Sequence, residues 1–367
     1  MAGTRNYARR PVAVATRRGP LVGTDEVTFR FADPTRTLTS VALAHELHRP
    51  RRLPFRRGGR RGAWTLEMRL TDADRMEYLL ELTHRDDECR LVPDPSNPLR
   101  APGPFGEKSA VELPTYFEPA WVSDDDSPQG DVSELQVPVR GLRENVNVVV
   151  WAPADTDPDE PLPLLIAHDG PEYAEFSQLV RLLDHVVAFG DVPPLRAALV
   201  QPVARNETYS ASARYARAFA QELVPRLLDA LPTAGSRPVV MGASLGGLAA
   251  LHAHWQHPRT LGGLFLQSSS FFRERWDKHE SGFERFGRVT RFVGHVLNGR
   301  AAPPRVPVTI TVGTAEENLD NNRAVARALD AQGWDVRLVQ HRDAHNWISW
   351  RDVFEPHLPN LLLRAWT

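Results

Sequence analysis

Arg237-Pro-Val-Val-Met-Gly242-Ala-Ser244-Leu-Gly246-Gly247 reads as an apolar strand that runs into a tight turn and opens a helix. A nucleophilic serine needs that context, because a sharp strand-to-helix turn lifts its hydroxyl above the sheet. Glycines flank such a serine because a side chain there would collide with neighbouring backbone. The helix amino terminus behind it favours developing negative charge. Average residue usage yields roughly a tenth of a chance Gly-x-Ser-x-Gly in a chain of this size. The strand-helix context lowers that further.

Around this stretch, apolar strands alternate with segments of helical period, which predicts a parallel sheet covered by helices. Strands are expected at residues 137–139, 146–152, 162–167, 197–202, 238–242, 261–267, 306–312 and 336–339. Helices are expected at 174–188, 212–230, 245–257, 320–332 and 353–365. In the second of these, Tyr215, Phe219, Leu223 and Leu227 recur every four residues as a one-faced stripe for core packing. The fold class is therefore α/β, an α/β-hydrolase with a mostly parallel eight-stranded sheet and helices on both faces.

Upstream the pattern differs. Short strand-like runs at 26–31, 38–44, 63–70 and 76–82 alternate with Pro, Gly and Arg punctuation, which predicts a small all-β sandwich. Asp94-Pro-Ser-Asn97-Pro98 supplies consecutive turn formers, and residues 123–134 are acidic with almost no apolar side chains. The expected organisation is a sandwich over 1–120, a linker over 121–134 and the hydrolase over 135–367.

The balance of charge excludes partners rather than naming one. With 44 Lys plus Arg against 46 Asp plus Glu, the net charge of −2 gives no overall field for nucleic acid or an anionic membrane. Apolar residues at 42% and charged residues at 25% are ordinary globular usage. A single cysteine, Cys89, allows no intramolecular disulfide, so a reducing compartment, the cytoplasm, is expected. The weakly apolar run at 11–16 is too short for a signal h-region, and residues 238–258 are too interrupted for a membrane span.

A serine at neutral pH is a poor nucleophile and needs a histidine base steadied by a third group. Chain order in this fold is serine, acid, histidine. Gly313-Thr-Ala-Glu316-Glu317-Asn-Leu-Asp320 places carboxylates after the seventh strand, where sites in such sheets are built. Glu316 is the expected acid, with Glu317 and Asp320 assigned to offsetting the dipole of the following helix. His345 in Asp343-Ala-His345-Asn346-Trp347 is the expected base, with His341 its rival, while His252, His254 and His257 are structural. Leu245 supplies one backbone N–H for the oxyanion, and the loop His168-Asp169-Gly170-Pro171-Glu172 should supply another.

With these residues in hand, the chain resembles the esterase family that includes enterochelin (catecholate siderophore) esterases, feruloyl esterases and mycolyltransferases. The resemblance rests on His168-Asp-Gly170, on Arg205 ahead of Glu222-Leu-Val-Pro225, and on Gly242-x-Ser244-x-Gly-Gly247. It extends to Gly313-Thr-Ala-Glu316 and to His345-Asn-Trp-Ile-Ser-Trp350-Arg351. The amino-terminal part is similar to the sandwich of enterochelin esterases through Val27-Thr-Phe29, Trp64, Glu77-Tyr78 and Asp94 to Pro98. The siderophore branch is thereby favoured.

The resemblance implies Ser244, Glu316 and His345 as nucleophile, acid and base, and no cofactor or metal. It implies substrate contacts at Asp169, Arg205 and Trp350. Two departures stand out. The base motif, usually Gly-Gly-His-Asp, here reads Asp343-Ala344-His345-Asn346. Pro171 occupies the position that commonly donates the second oxyanion N–H and has none to give, so Gly170 is the expected donor, with Glu172 or the Arg205 side chain as alternatives.

The expected activity is that of a serine ester hydrolase opening a ferric siderophore or similar multi-ester through an acyl-enzyme. Its partner is then a small-molecule ester, neither nucleic acid nor membrane. A general carboxylesterase, feruloyl-type esterase or acyltransferase would use the same residues. From another class, a binding module with a vestigial hydrolase half would not. Seven arginines between Arg49 and Arg61 read as a solvated loop between strands, with capture of an acidic ligand the other reading.

Overall fold

The computed structural model describes residues 10–11, 19–47, 50–58, 62–300 and 302–366. Two compact units emerge. The first gathers residues 1–120 with 313–317 and 341–349, and the second holds 121–312, 318–340 and 350–367.

The first unit is built on two antiparallel sheets. One runs in the order Leu21–Val22, Glu26–Ala32, Ala63–Arg69, Arg56–Gly58. The other runs Arg100–Ala101, Lys108–Glu112, Arg75–His84, Leu38–His45, Arg52–Pro54, with Cys89–Val92 also paired to Arg75–His84. Alternation along Glu26–Ala32 buries Val27 and Phe29 and leaves Glu26 and Arg30 in solvent, the period of a half-buried strand. Val27, Phe29, Leu43, Trp64, Tyr78 and Leu80 share one hydrophobic core, with Phe29 set edge-on against Tyr78 at 5.0 Å. The arginine-rich segment forms two short edge strands, Arg52–Pro54 and Arg56–Gly58, rather than a loop. Charged residues on an edge discourage further strand pairing. Arg49, Arg60 and Arg61 lie outside the described residues.

The second unit carries an eight-stranded sheet. Across it the order is Asp131–Val139, Glu144–Ala152, Arg196–Val200, Leu164–His168, Val239–Ala243, Gly263–Gln267, Val308–Gly313 and Val336–His341. The first two strands join antiparallel, and the five from Arg196–Val200 to Val308–Gly313 run parallel. The chain has the α/β-hydrolase fold. Parallel strands buried on both faces read as continuous apolar runs, which is why these five were legible.

Helices depart more from expectation. The segment expected over 174–188 begins at Gly170 and breaks in two at Gln178, which adopts a left-handed φ of 52°. The segment expected over 212–230 contains a π-helical turn, Phe219–Leu223. Pro225 lacks the N–H that would bond the carbonyl four residues back, and the widened turn keeps Tyr215, Phe219, Leu223 and Leu227 in the core. The last helix starts at His357, preceded by Trp347–Asp352, and the helix Phe286–Leu297 was not anticipated.

The stretch expected as a linker over 121–134 is anchored instead. Trp121 is buried, Asp124 bonds His185 Nδ1 at 2.6 Å, and the strand Asp131–Val139 begins within it. Hydrogen bonds from Ser127 and His185 hold the Asp124 carboxyl down at about 2. Among the described residues no helix is long and apolar enough to cross a membrane.

Burial pushes His168, His252 and His254 down to about 4 each. Their folded values lie below the unfolded value near 6.5, so the neutral ring is the one the fold accepts. Each therefore contributes stability that is complete above about pH 6.5 and lost as pH falls toward 4, up to about 3 kcal/mol for fully buried His168. The thermal midpoint followed by circular dichroism is expected to hold level from pH 8 to 6.5 and to drop between pH 6.5 and 4. A midpoint unchanged across that interval would contradict the assignment.

Candidate active site

The strand Val239–Ala243 is buried throughout and delivers the chain to Ser244 at φ 54° and ψ −119°. Such a backbone costs about 1–3 kcal/mol for a residue with a side chain and persists only where its surroundings over-determine it. Here the Ser244 N–H donates to the Gln267 carbonyl at 2.9 Å, and the Ser270 N–H donates to the Ser244 carbonyl at 3.0 Å. The Ser244 and Ser270 hydroxyls stand 3.0 Å apart. A Cβ at Gly242 would fall 2.5 Å from the Gly246 carbonyl carbon, and one at Gly247 would fall 2.1 Å from Ser269 Oγ. Gly247, more than Gly246, is the second sterically compelled glycine. Leu245 opens the twelve-residue helix Leu245–Gln256, where first-turn N–H groups have no intrahelical acceptor.

Next to this strand, Leu164–His168 ends in the loop expected to complete an oxyanion site. Ring nitrogen Nδ1 of His168 lies 2.9 Å from the Gly246 carbonyl, and Nε2 lies 3.0 Å from the Tyr215 hydroxyl. A carbonyl only accepts, so Nδ1 carries the proton and Tyr215 donates to Nε2. The neutral ring ties the loop to the helix behind Ser244. Asp169 receives a forked pair from Arg205, Nε and Nη2 each at 2.7 Å, and the guanidinium lies 5.7 Å from the Tyr209 ring centroid. These two residues thus meet as one ion pair with Asp169 buried, rather than as separate charges. Gly170 opens the helix Gly170–Ser177, with Pro171 after it.

Glu316 and His345 are brought together in the first unit. Glu316 is buried, its Oε1 accepting from the Gly313 N–H at 2.6 Å and its Oε2 lying 2.8 Å from His345 Nδ1. The carboxylate accepts, so Nδ1 bears the proton and Nε2 offers a lone pair on a ring that is about one-third exposed. Glu317 makes a 2.6 Å ion pair with Arg51, a role beyond the expected helix-dipole one. Asp320 lies in the first turn of Leu319–Ala331 and pairs with Arg323 at 3.3 Å. The rival base His341 lies 2.6 Å from Ser349 Oγ through Nε2.

The family model described as "Putative esterase" matches residues 140–361. The chain belongs to this esterase family. It is an ester hydrolase. The esterase is 26% identical to the iron(III) enterobactin esterase of Escherichia coli O6:H1, over 89% of this chain and 88% of that one. Among solved structures, ferric enterobactin esterase from Salmonella typhimurium aligns with a TM-score of 0.77 at 22% identity, covering 95% of this chain and 97% of that chain. The enterobactin esterase of Shigella flexneri in the presence of enterobactin aligns at 0.76 and 22%, with the same coverage. At that identity the structures establish the fold.

In this esterase Trp350 is buried. Its Nε1–H donates to Ser268 Oγ at 3.0 Å and its carbonyl accepts from Gln267 Nε2 at 3.0 Å, so it braces the strand end rather than presenting a surface to substrate. Sequence reasoning passed over Gln267 and Ser270. The only signal was the run Gln267-Ser-Ser-Ser270 at the carboxyl end of a strand, where polar residues otherwise have little reason to cluster. Among the arginines, Arg52 pairs with Glu81, and Arg57 stacks over the Trp64 ring at 5.2 Å.

Gly313 offers a test of the acid's mounting. A Cβ there would lie 2.2 Å from the Asp343 carbonyl oxygen and 3.1 Å from Glu316 Oε1, whereas one at Gly282 meets nothing. Gly313→Ala is expected to lower stability by about 1–3 kcal/mol in urea titration, as overpacking does, and to reduce ester hydrolysis at least tenfold. Gly282→Ala should leave both unchanged. Equal behaviour of the two variants would remove the steric argument.

Proposed function

We propose that this esterase hydrolyses the ester bonds of a ferric siderophore or a closely similar multi-ester, with Ser244 as nucleophile, His345 as base and Glu316 as the acid that steadies it. The observation carrying this reading is the Glu316–His345 hydrogen bond at Nδ1, which leaves Nε2 as the proton acceptor a serine requires. The elbow at Ser244 and the serine, acid, histidine chain order support it. The siderophore substrate is supported by the iron(III) enterobactin esterase relative, whose alignment extends over most of both chains.

In this mechanism Ser244 Oγ attacks the ester carbonyl as its proton passes to His345 Nε2. Leu245 N–H and Gly170 N–H receive the developing oxyanion, and collapse expels the alcohol as His345 returns the proton. Water then adds to the acyl-enzyme by the same route, releasing the acid and free Ser244. Glu316 stays ionised and stabilises the imidazolium that forms in each half-reaction. The Asp169–Arg205 pair presents part of the guanidinium above Tyr209, where an anionic catecholate edge would be met.

Purified protein incubated with ferric and iron-free tricatecholate trilactones beside simple aryl esters, with products identified by mass, tests the substrate. Ring-opened and monomeric catecholate products are expected to form faster than aryl ester hydrolysis proceeds; turnover of the aryl esters alone would favour a general carboxylesterase. Ser244→Ala should lose roughly three orders of magnitude or more in kcat and all labelling by a fluorophosphonate probe. Glu316→Ala should cost about tenfold or more while Glu317→Ala stays within about threefold. The reverse order would move the acid to the other residue.

A further inference from the structure

The residues flanking Glu316 and His345 are held by the β-sandwich. Ala315 and Ala344 are buried in the same hydrophobic cluster as Val27, Phe29, Tyr78 and Leu80. Thr314 Oγ1 donates to the Asp72 carbonyl at 2.5 Å, the Asp74 N–H donates to the Arg342 carbonyl at 2.8 Å, and the Arg342 guanidinium returns to Asp74 at 2.9 Å. Both loops are thus fastened to strand ends that lie far upstream in the chain.

The tightest fastening is at Asn346, next to the base. Its Nδ2 donates to Glu46 Oε1 at 2.7 Å and to Asp343 Oδ1 at 3.2 Å. Its Oδ1 accepts from the Ser349 N–H at 2.8 Å, capping the helix Trp347–Asp352, and lies 3.4 Å from Arg75 Nη1. Both amide donors and the acceptor are used, and the side chain is buried. Behind it, Lys108 bridges Glu46 at 3.0 Å and Glu77 at 3.1 Å, and Arg75 bonds Glu77 at 3.0 Å.

We propose that the β-sandwich is the platform that positions the catalytic acid and base, with Asn346 as the positioning residue that fixes where His345 stands. The proposal rests on the reading of His345 as the base. It also accounts for the departure from the usual Gly-Gly-His-Asp. A carboxylate at position 346 would have no N–H to give Glu46 or Asp343 and would add a charge beside them, while an amide donates to both. Burial beside Glu77 already pushes the Glu46 carboxyl well above the ordinary range, so this cluster has no room for a further negative charge. Displacement of a catalytic group by about 1 Å can cost a hundredfold in rate, which is the scale of control such a platform exerts.

Steady-state hydrolysis of an aryl ester between pH 5 and 9 tests this in the full-length protein. Asn346→Asp is expected to lower kcat about 10- to 100-fold with KM within about threefold, and to shift the pH at which the base limb of kcat/KM inflects. Glu46→Gln added to Asn346→Asp restores the hydrogen bond with donor and acceptor exchanged and should recover about tenfold of the loss. Asn346→Ala removes the grip without adding a charge, and is expected to show the same kcat loss if Asn346→Asp does not fold. Wild-type kcat and pH profile in whichever of these single variants folds, or no recovery in the double variant, would overturn the platform while an inactive Ser244→Ala leaves the nucleophile in place. Full activity in Ser244→Ala would instead overturn the reading beneath it.

Discussion

Ser244 occupies a left-handed backbone conformation that an isolated peptide would abandon, and two backbone hydrogen bonds from the neighbouring strand end keep it there. The Gln267 carbonyl holds its N–H and the Ser270 N–H holds its carbonyl, so the turn is clamped at both polar groups. Strain of about 1–3 kcal/mol is sustained by the pairing of two fully buried parallel strands. Everything near the serine follows from this clamp. Glycine is compelled at 242 and 247, and the His168 ring is drawn onto the Gly246 carbonyl. The hydroxyl is aimed toward Ser270, at the carboxyl edge where open α/β sheets place their ligands.

A carboxylate and an imidazole in water gain little from meeting. Glu316 and His345 meet under other conditions. The carboxylate is buried, one oxygen accepts from the Gly313 N–H, and the flanking alanines are immersed in a hydrophobic core. Fixing both partners in advance removes the entropy that would otherwise oppose the pair. The tautomer is set by the same arrangement, since only a protonated Nδ1 can face a carboxylate.

The strands of the large sheet were readable because each carries a short apolar run between turn formers, and the five central ones are buried on both faces, which leaves no alternation to confuse the pattern. Helix boundaries were read less well. The break at Gln178 and the π-turn before Pro225 are adjustments to packing that leave the apolar spacing almost untouched. The acidic residues after Trp121 looked like a linker because their composition is that of a loop. Asp124 is held by His185 and Ser127, partners that composition does not announce. Arg205 and Asp169 were each legible as charged residues near strand ends, but not as a forked pair, because a separation of 36 positions says nothing of their meeting.

Local order was decided by the chain itself: an apolar strand, a glycine-flanked serine and a helix can form only one kind of turn, and chain order then nominates Glu316 and His345. Tertiary structure decided what holds those side chains in place. Glu46 and Arg75 reach Asn346 from 300 and 271 residues upstream, and Trp350, which looked available to substrate, is consumed by Ser268 and Gln267. Short-range sterics and periodicity are written in neighbouring residues, whereas satisfying a buried donor or charge depends on whichever distant group the fold delivers, and only coordinates record that.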